Sequence, residues 1–246
     1  VRRHLFFVAI VVSGNGALPN RWLWEETMFS LFSSKKGGDA QASLSALRHQ
    51  NEHGYFFVKS SVYQTNSNNN VTTIGGPCRV DCTTIDKGLR VCRLDVSQGT
   101  GDYYFPYVQV PHGGVGVCIV PASAPHGTLV LTGAMNGCSL QVNRSGAELY
   151  FYHDANGVSL RNKLTPGDVV CRVDFSSYAG PGNFATNFAL SSGTGVHATY
   201  LITVRRGDRW HVYANSFFIY GPPDSDKAVW KPVHLALSRL ITTFEA

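Results

Sequence analysis

The chain has 246 residues, 43% of them hydrophobic, and a formal net charge of +5. That length supports one large domain or two small ones with a well-buried core. Basic residues come only in pairs such as Lys35-Lys36 and Arg205-Arg206, which excludes the clustered footprint of a nucleic-acid binder, and no apolar run is long enough to cross a bilayer as a helix.

In chain order, Leu5 to Val12 is the longest apolar run; it follows Arg2, Arg3 and His4 and reads as a buried strand rather than a leader core. Arg21 to Phe32 and Ala40 to Glu52 carry helical spacing, the second with Leu44 and Leu47 inward. Tyr55 to Tyr63 alternates as a strand, and Gln64 to Asn70 is a polar, Asn-rich loop. From Gly88 onward strands dominate: 90–96, 104–110, 116–120, 128–131, a hairpin over 129–154, then 168–175, 187–191, 198–205 and 209–220. Pro232 to Phe244 places Val233, Leu237, Leu240, Ile241 and Phe244 on one stripe and predicts a closing helix. The expected architecture is α+β: a single domain over 1–246, with a mixed or antiparallel β-sheet sandwich and a few covering helices.

Six cysteines stand at 78, 82, 92, 118, 138 and 171. Their spacing matches no metal pattern, so neither a metal nor another cofactor is expected. A disulfide framework among Cys78, Cys82 and Cys92 is open. Otherwise the cysteines read as buried thiols, Cys138 excepted, because a chain this long does not need staples.

The hairpin isolates that exception. Two alternating runs flank Ser145-Gly146, and a turn centred there sets Cys138 directly opposite His153. Opposed residues in such a pair have Cβ atoms about 4.5–5.5 Å apart, within thiol-to-imidazole reach. The period of two places Leu140, Val142, Leu149 and Phe151 on the same face. Ser139, Gln141, Asn143, Glu148, Tyr150 and Tyr152 form the other face, expected at the solvent surface. An imidazole that takes a thiol proton turns cysteine into a nucleophile, and can later return that proton to a leaving amine. Gly137 and Cys138 offer backbone N–H groups, and Asn136 a side-chain amide, to a developing oxyanion. Asp154 adjoins His153 in the strand and so points to the opposite face.

Asn136-Gly137-Cys138, with His153 fifteen residues on at the end of a strand, resembles the catalytic motif of the cytotoxic necrotizing factor and Burkholderia lethal factor group of bacterial toxins. That group carries Leu-Ser-Gly-Cys and a His on the partner strand; here Met135 and Asn136 stand in the first two places. The resemblance covers residues 128–155 and implies a glutamine deamidase on an α/β sandwich, with Cys138 as nucleophile and His153 as its base. It also implies that a main-chain carbonyl from an upstream strand orients the imidazole, with 104–110 the candidate segment. A secreted effector, monomeric, acting in the host cytoplasm on a host protein (a Rho-type GTPase or a translation initiation helicase) is what it implies about partners.

His112-Gly113-Gly114 has no G-x-S-x-G elbow to accompany it and reads as a turn; His197, His211 and His234 lack ligand spacing. Two other readings remain at this stage. One is a cysteine protease or acyltransferase using the same dyad, and the other is a non-catalytic β-rich binding module with structural cysteines.

Overall fold

The computed structural model describes residues 40–50, 54–63, 72–108, 114–161, 163–178, 195–220, 229–232 and 238–246. The expected strand at 5–12, helix at 21–32, loop at 64–70, strand at 187–191 and most of the turn at 112–114 lie outside them. Helix α1 (Ala40–His49) is followed by strands β1 (Tyr55–Ser60), β2 (Thr72–Ile74), β3 (Gly76–Asp86), β4 (Val91–Phe105), β5 (Val115–Pro121) and β6 (Leu129–Thr132). Then come β7 (Ser139–Ser145), β8 (Glu148–Asp154), β9 (Asp168–Val173), the short helix α2 (Phe175–Tyr178), β10 (Gly195–Arg206), β11 (Arg209–Tyr220), β12 (Val229–Pro232) and β13 (Arg239–Glu245). The described part is mostly β with few helices, and no described helix is long and apolar enough to cross a membrane.

Eight strands form one mixed sheet in the order β1-β4-β6-β10-β11-β12, with β3 pairing β4 and β13 pairing β11; five form the second, β2-β5-β8-β7-β9. Alternation on the larger sheet sends neighbours to opposite sides. Leu129 and Leu131 join the core under α1, with Leu44, Leu47, Phe56 and Phe57, while Val130 between them joins the core shared with the second sheet. That shared core is built around Trp210, Phe105, Phe151, Leu140, Val142 and Phe244. Phe151 sets its ring edge to Trp210 at 5.7 Å, and Phe244 stacks on Trp210 at 6.4 Å.

Two expectations change in the larger sheet. The predicted strand at 90–96 continues through to Phe105 in β4, while residues 106–108 of the strand predicted at 104–110 are not strand; the register of β4 against β3 jumps between Cys78↔Asp102 and Arg79↔Ser97. Gly99, where a Cβ would come within 2.6 Å of the Arg79 Cβ, lets the bulge close. The helix predicted over 232–244 gives way to strand where its residues are described: Pro232 ends the strand Val229–Pro232, and Arg239–Glu245 is a strand. The edge of β11 over Arg209–Ala214 would otherwise leave its backbone groups unpaired, and β13 satisfies them while inserting Phe244 beside Trp210. Local apolar spacing gave way to the unfilled edge.

Helix α1 is fastened by charge. Arg48 meets Asp102 with both guanidinium nitrogens, at 2.7 and 2.6 Å, and also donates to the Gly127 carbonyl; Asp102 further accepts the Leu129 N–H at 2.8 Å. Asp102 is buried, so removing its carboxylate leaves the Arg48 guanidinium without its counter-charge and the Leu129 N–H without its acceptor. Asp102→Ala is expected to cost about 3 kcal/mol in urea unfolding; a loss under about 1 kcal/mol would place this pair among weak surface bridges.

Candidate active site

Four strand ends meet at one place. β4 and β6 run parallel, with Phe105 beside Thr132 at their carboxyl ends. After β6 the chain is pinned to β10 by paired backbone hydrogen bonds between Met135 and Thr199. It then turns at Gly137, whose φ of +82° suits a residue without Cβ, and delivers Cys138 to the start of β7. His153 lies near the end of β8.

The hairpin register differs from the expected one by two residues. The turn falls at Gly146-Ala147, Gly146 having a φ of +59°, so Ser145 pairs Glu148 and Leu140, not Cys138, faces His153. A shift of two leaves every residue on its expected face. Leu140, Val142, Leu149 and Phe151 are buried in the shared core together with Cys138. Cys138 therefore stands diagonal to His153, about 7 Å away by strand geometry.

The imidazole's protonation follows from its partners. The Thr132 hydroxyl donates its only proton to the Phe105 carbonyl at 2.8 Å, and its oxygen lies 2.7 Å from His153 Nδ1. That oxygen can then only accept, so Nδ1 carries the hydrogen and Nε2 holds the free lone pair. Nε2 is buried and has no hydrogen-bond partner among the described residues. Phe105 approaches the ring edge-on at 6.5 Å and Tyr107 tilts against it at 5.2 Å. Enclosed this way, His153 is fully buried and its pKa is pulled down to about 3 by burial. The imidazole partner is the Thr132 hydroxyl, not the main-chain carbonyl expected from 104–110; the Phe105 carbonyl only accepts from Thr132, a residue that reading the sequence did not single out. Its β-branched place at the end of an apolar run gave no signal of a polar role.

Cys138 is buried, at 2% exposure, as are Cys78, Cys92, Cys118 and Cys171, against the expectation that it would stand apart. All six are free thiols. The Cys138 thiol donates to the Ala155 carbonyl at 3.2 Å and sits 3.9 Å from that of Asn136. Burial pushes its pKa up; the Asn136 contact works in the opposite direction, and the Asp154 charge adds to the rise. The resting pair is thus a neutral thiol and a neutral imidazole, side by side on one face and not hydrogen-bonded. On the backbone side, Tyr178 donates to the Cys138 carbonyl at 2.8 Å. Asn136 and Gly137 are exposed. Asp154 serves the neighbouring loop: its carboxylate accepts the backbone N–H groups of Asn156, Ser159 and Leu160.

The polar hairpin face is solvent surface only at the turn end of β8, where Glu148 is exposed and Tyr150 half-buried. Ser139, Gln141 and Asn143 are buried beneath the segment after β8. Asn143 donates to Thr165 and to the Pro166 carbonyl, Gln141 donates to Asn143, and Arg172 reaches both Gln141 and the Gly157 carbonyl. Among the described residues, no cluster of three or more His, Cys, Asp or Glu side chains is arranged to hold a metal ion.

No family model matches the chain. No curated protein matches it. Among solved structures, the C-terminal domain of CNFy from Yersinia pseudotuberculosis is similar at 12% identity and a TM-score of 0.25, over 60% of this chain and 66% of that one.

The burial of His153 has a consequence for stability. Its imidazole is neutral in the folded state down to about pH 3 and titrates near 6.5 when unfolded. The unfolded chain therefore binds the extra proton between those values, and stability is full above about pH 6.5 and falls as pH drops toward 3. Relative to His153→Asn, the wild type is expected to lose up to about 1.4 kcal/mol per pH unit below pH 6.5 in urea unfolding. Parallel curves for the two proteins would contradict a buried neutral imidazole.

Proposed function

We propose that this chain is a cysteine-dependent protein-glutamine deamidase in which Cys138 is the nucleophile and His153 the general base. The observation that carries the reading is the bare, buried Nε2 of His153 on the sheet face that also presents Cys138, with Nδ1–H held by Thr132. A nitrogen lone pair kept from water and from every other donor is a proton acceptor waiting for the one mobile proton beside it.

In this mechanism the thiol swings from the Ala155 carbonyl to Nε2 and transfers its proton. The thiolate adds to the side-chain amide carbon of a substrate glutamine, forming a C–S bond and moving the carbonyl electron pair onto oxygen. Backbone N–H groups of Gly137 and Cys138, and the exposed Asn136 amide, are the donors offered to that oxyanion. The imidazolium returns its proton to nitrogen, the C–N bond breaks, and ammonia leaves. Water loses a proton to His153 and attacks the thioester, the C–S bond breaks, and the sulfur recovers the proton. Glutamine has become glutamate, with one water consumed and one ammonia released. No metal or cofactor takes part. Thr132 and Phe105 keep the imidazole in the tautomer that these transfers require.

The resemblance at Asn136-Gly137-Cys138 and His153 extends this reading to a toxin or effector on an α+β sandwich, one domain over 1–246, monomeric and secreted. Its substrate would be a host protein such as a Rho-type GTPase or a translation initiation helicase, met in the host cytoplasm.

Intact mass spectrometry of candidate host proteins incubated with the chain tests the proposal. Each modified glutamine adds about one mass unit through amide-to-acid exchange, and Cys138→Ser abolishes the shift. Cleavage fragments in place of the shift would overturn deamidation in favour of a protease. Thr132→Val is expected to lower turnover on the order of 10²-fold, and Thr132→Ser to restore most of it. Equal turnover in Thr132→Val and wild type would remove Thr132 from the mechanism.

A further inference from the structure

Asn-Gly dipeptides stand on both sides of the site, Asn136-Gly137 before the nucleophile and Asn156-Gly157 after β8; a further one, Asn15-Gly16, lies outside the described residues. An asparagine followed by glycine is open to one spontaneous reaction, attack of the glycine backbone nitrogen on the side-chain amide carbon. It needs a side chain free to swing and a following residue without Cβ to block the approach. Asn156 is held against it. Its Oδ1 accepts the Val158 and Ser159 N–H groups at 3.1 and 3.0 Å and the Ser159 hydroxyl at 2.8 Å, and the Gly157 N–H is spent on the Asp154 carbonyl at 3.1 Å. Asn136 is exposed, and its side-chain amide has no hydrogen-bond partner among the described residues. No backbone carbonyl among those residues accepts the Gly137 N–H. Space differs too: a Cβ on Gly137 would meet nothing within 4 Å, whereas one on Gly157 would stand 3.6 Å from the Gly137 carbonyl oxygen. Asn136-Gly137 also bridges two fixed points. Met135 is bonded to Thr199 in both directions, at 2.7 and 3.2 Å, and the Cys138 carbonyl takes the Tyr178 hydroxyl at 2.8 Å.

We propose that Asn136 is a self-modification site, whose side chain closes on the Gly137 nitrogen to a cyclic imide that water opens to aspartate and isoaspartate. In the first step the Gly137 nitrogen bonds to the Asn136 side-chain amide carbon. The bond from that carbon to its own amide nitrogen breaks, and the nitrogen leaves as ammonia with the proton from the Gly137 N–H. In the second step water adds to either imide carbonyl and the ring C–N bond on that carbon breaks, its electron pair and a water proton going to the Gly137 nitrogen. Addition at the side-chain carbonyl gives aspartate. Addition at the main-chain carbonyl gives isoaspartate, in which the chain runs on through the side-chain carbon. Nothing is oxidised or reduced, and water is the co-reactant. Either product sets a carboxylate where an amide donor stood, and a carboxylate accepts hydrogen bonds and repels a developing oxyanion. Isoaspartate also lengthens the bridge between the Met135 anchor and Cys138 by a main-chain carbon. The loss of turnover that follows rests on the deamidase reading; the conversion itself does not.

The test ages the full chain under reductant in mildly alkaline buffer, which favours loss of the proton from the attacking nitrogen. Samples are digested briefly with trypsin in mildly acidic buffer, and the peptides are sequenced by mass spectrometry. Asn136 falls in Leu94–Arg144 and Asn156 in Ser145–Arg161. The expected result is the amide-to-acid mass gain at Asn136, divided between separable aspartate and isoaspartate peptides. Its rate is expected to be at least about tenfold that at Asn156, whose hydrogen bonds must open first. Isoaspartate is the signature of the imide, since direct hydrolysis of the amide gives aspartate alone. Cys138→Ser is expected to convert at the wild-type rate. No conversion at Asn136, aspartate without isoaspartate, equal rates at the two asparagines, or loss of the conversion in Cys138→Ser would each overturn the proposal. Should Cys138→Ser fail to fold, the wild-type peptide map decides alone. Where the fresh chain deamidates a substrate, turnover is expected to fall in step with conversion, while Asn136→Ser, whatever its starting rate, keeps that rate on ageing. A wild-type rate that holds while Asn136 converts would overturn the effect on the site. A fresh chain with no turnover counts against the deamidase reading, and the peptide map still judges the conversion.

Discussion

One hydroxyl proton organises the centre of this molecule. Thr132 gives it to the Phe105 carbonyl, so its oxygen is left to accept from His153 Nδ1, and the imidazole's basic nitrogen is thereby turned toward the interior. The two residues that dictate this belong to the larger sheet, and the histidine to the smaller one. The packing of the two sheets around Trp210, Phe105 and Phe151 is therefore what brings tautomer and orientation together. A displacement of β6 against β8 by one residue would present a different side chain to Nδ1.

Burial then sets the resting state. With the thiol raised and the imidazole lowered, the pair stores no charge, and the thiol rests on the Ala155 carbonyl. Asp154 holds the loop that carries this carbonyl, while Tyr178 holds the backbone of Cys138 from the other side. A charged thiolate–imidazolium pair would cost more in this interior than in water, so in the proposed reaction it forms only as an electrophile arrives. The Cys92 thiol shows the opposite shift. There the Cys82 thiol, with the Ser43 and Thr84 hydroxyls and the Arg90 charge, outweighs burial and brings the pKa down to about 7. Two cysteines of one chain are thus poised differently by the groups placed around them rather than by depth alone.

The second sheet is covered on one face and, along β7, on the other, which explains the buried polar residues of that strand. Its apolar face meets the larger sheet, and its polar face is satisfied by the 155–167 segment through Asn143, Gln141 and Arg172. Polar residues in an alternating strand read as solvent-facing when the covering segment is irregular, since nothing local announces that a loop will fold back and pair with them. The C-terminal strands make the same point in reverse. Leu240, Ile241 and Phe244 have helical spacing, yet the open edge of β11 claims them as β13.

What the amino-acid order determined by itself was parity. Side chains alternate with a period of two, so Cys138 and His153 share a face with Leu140, Val142, Leu149 and Phe151 in any register that differs by two residues. The inward residues Leu44 and Leu47 of α1 were legible for the same reason, a fixed helical period. Tertiary structure decided the rest. Ser145-Gly146 and Gly146-Ala147 are both competent turns, and pairing with β5 and β9 belongs to the register that the second one sets. It also chose Thr132 as the partner of His153, because a hydrogen bond between residues 21 apart on different sheets leaves no trace in local spacing.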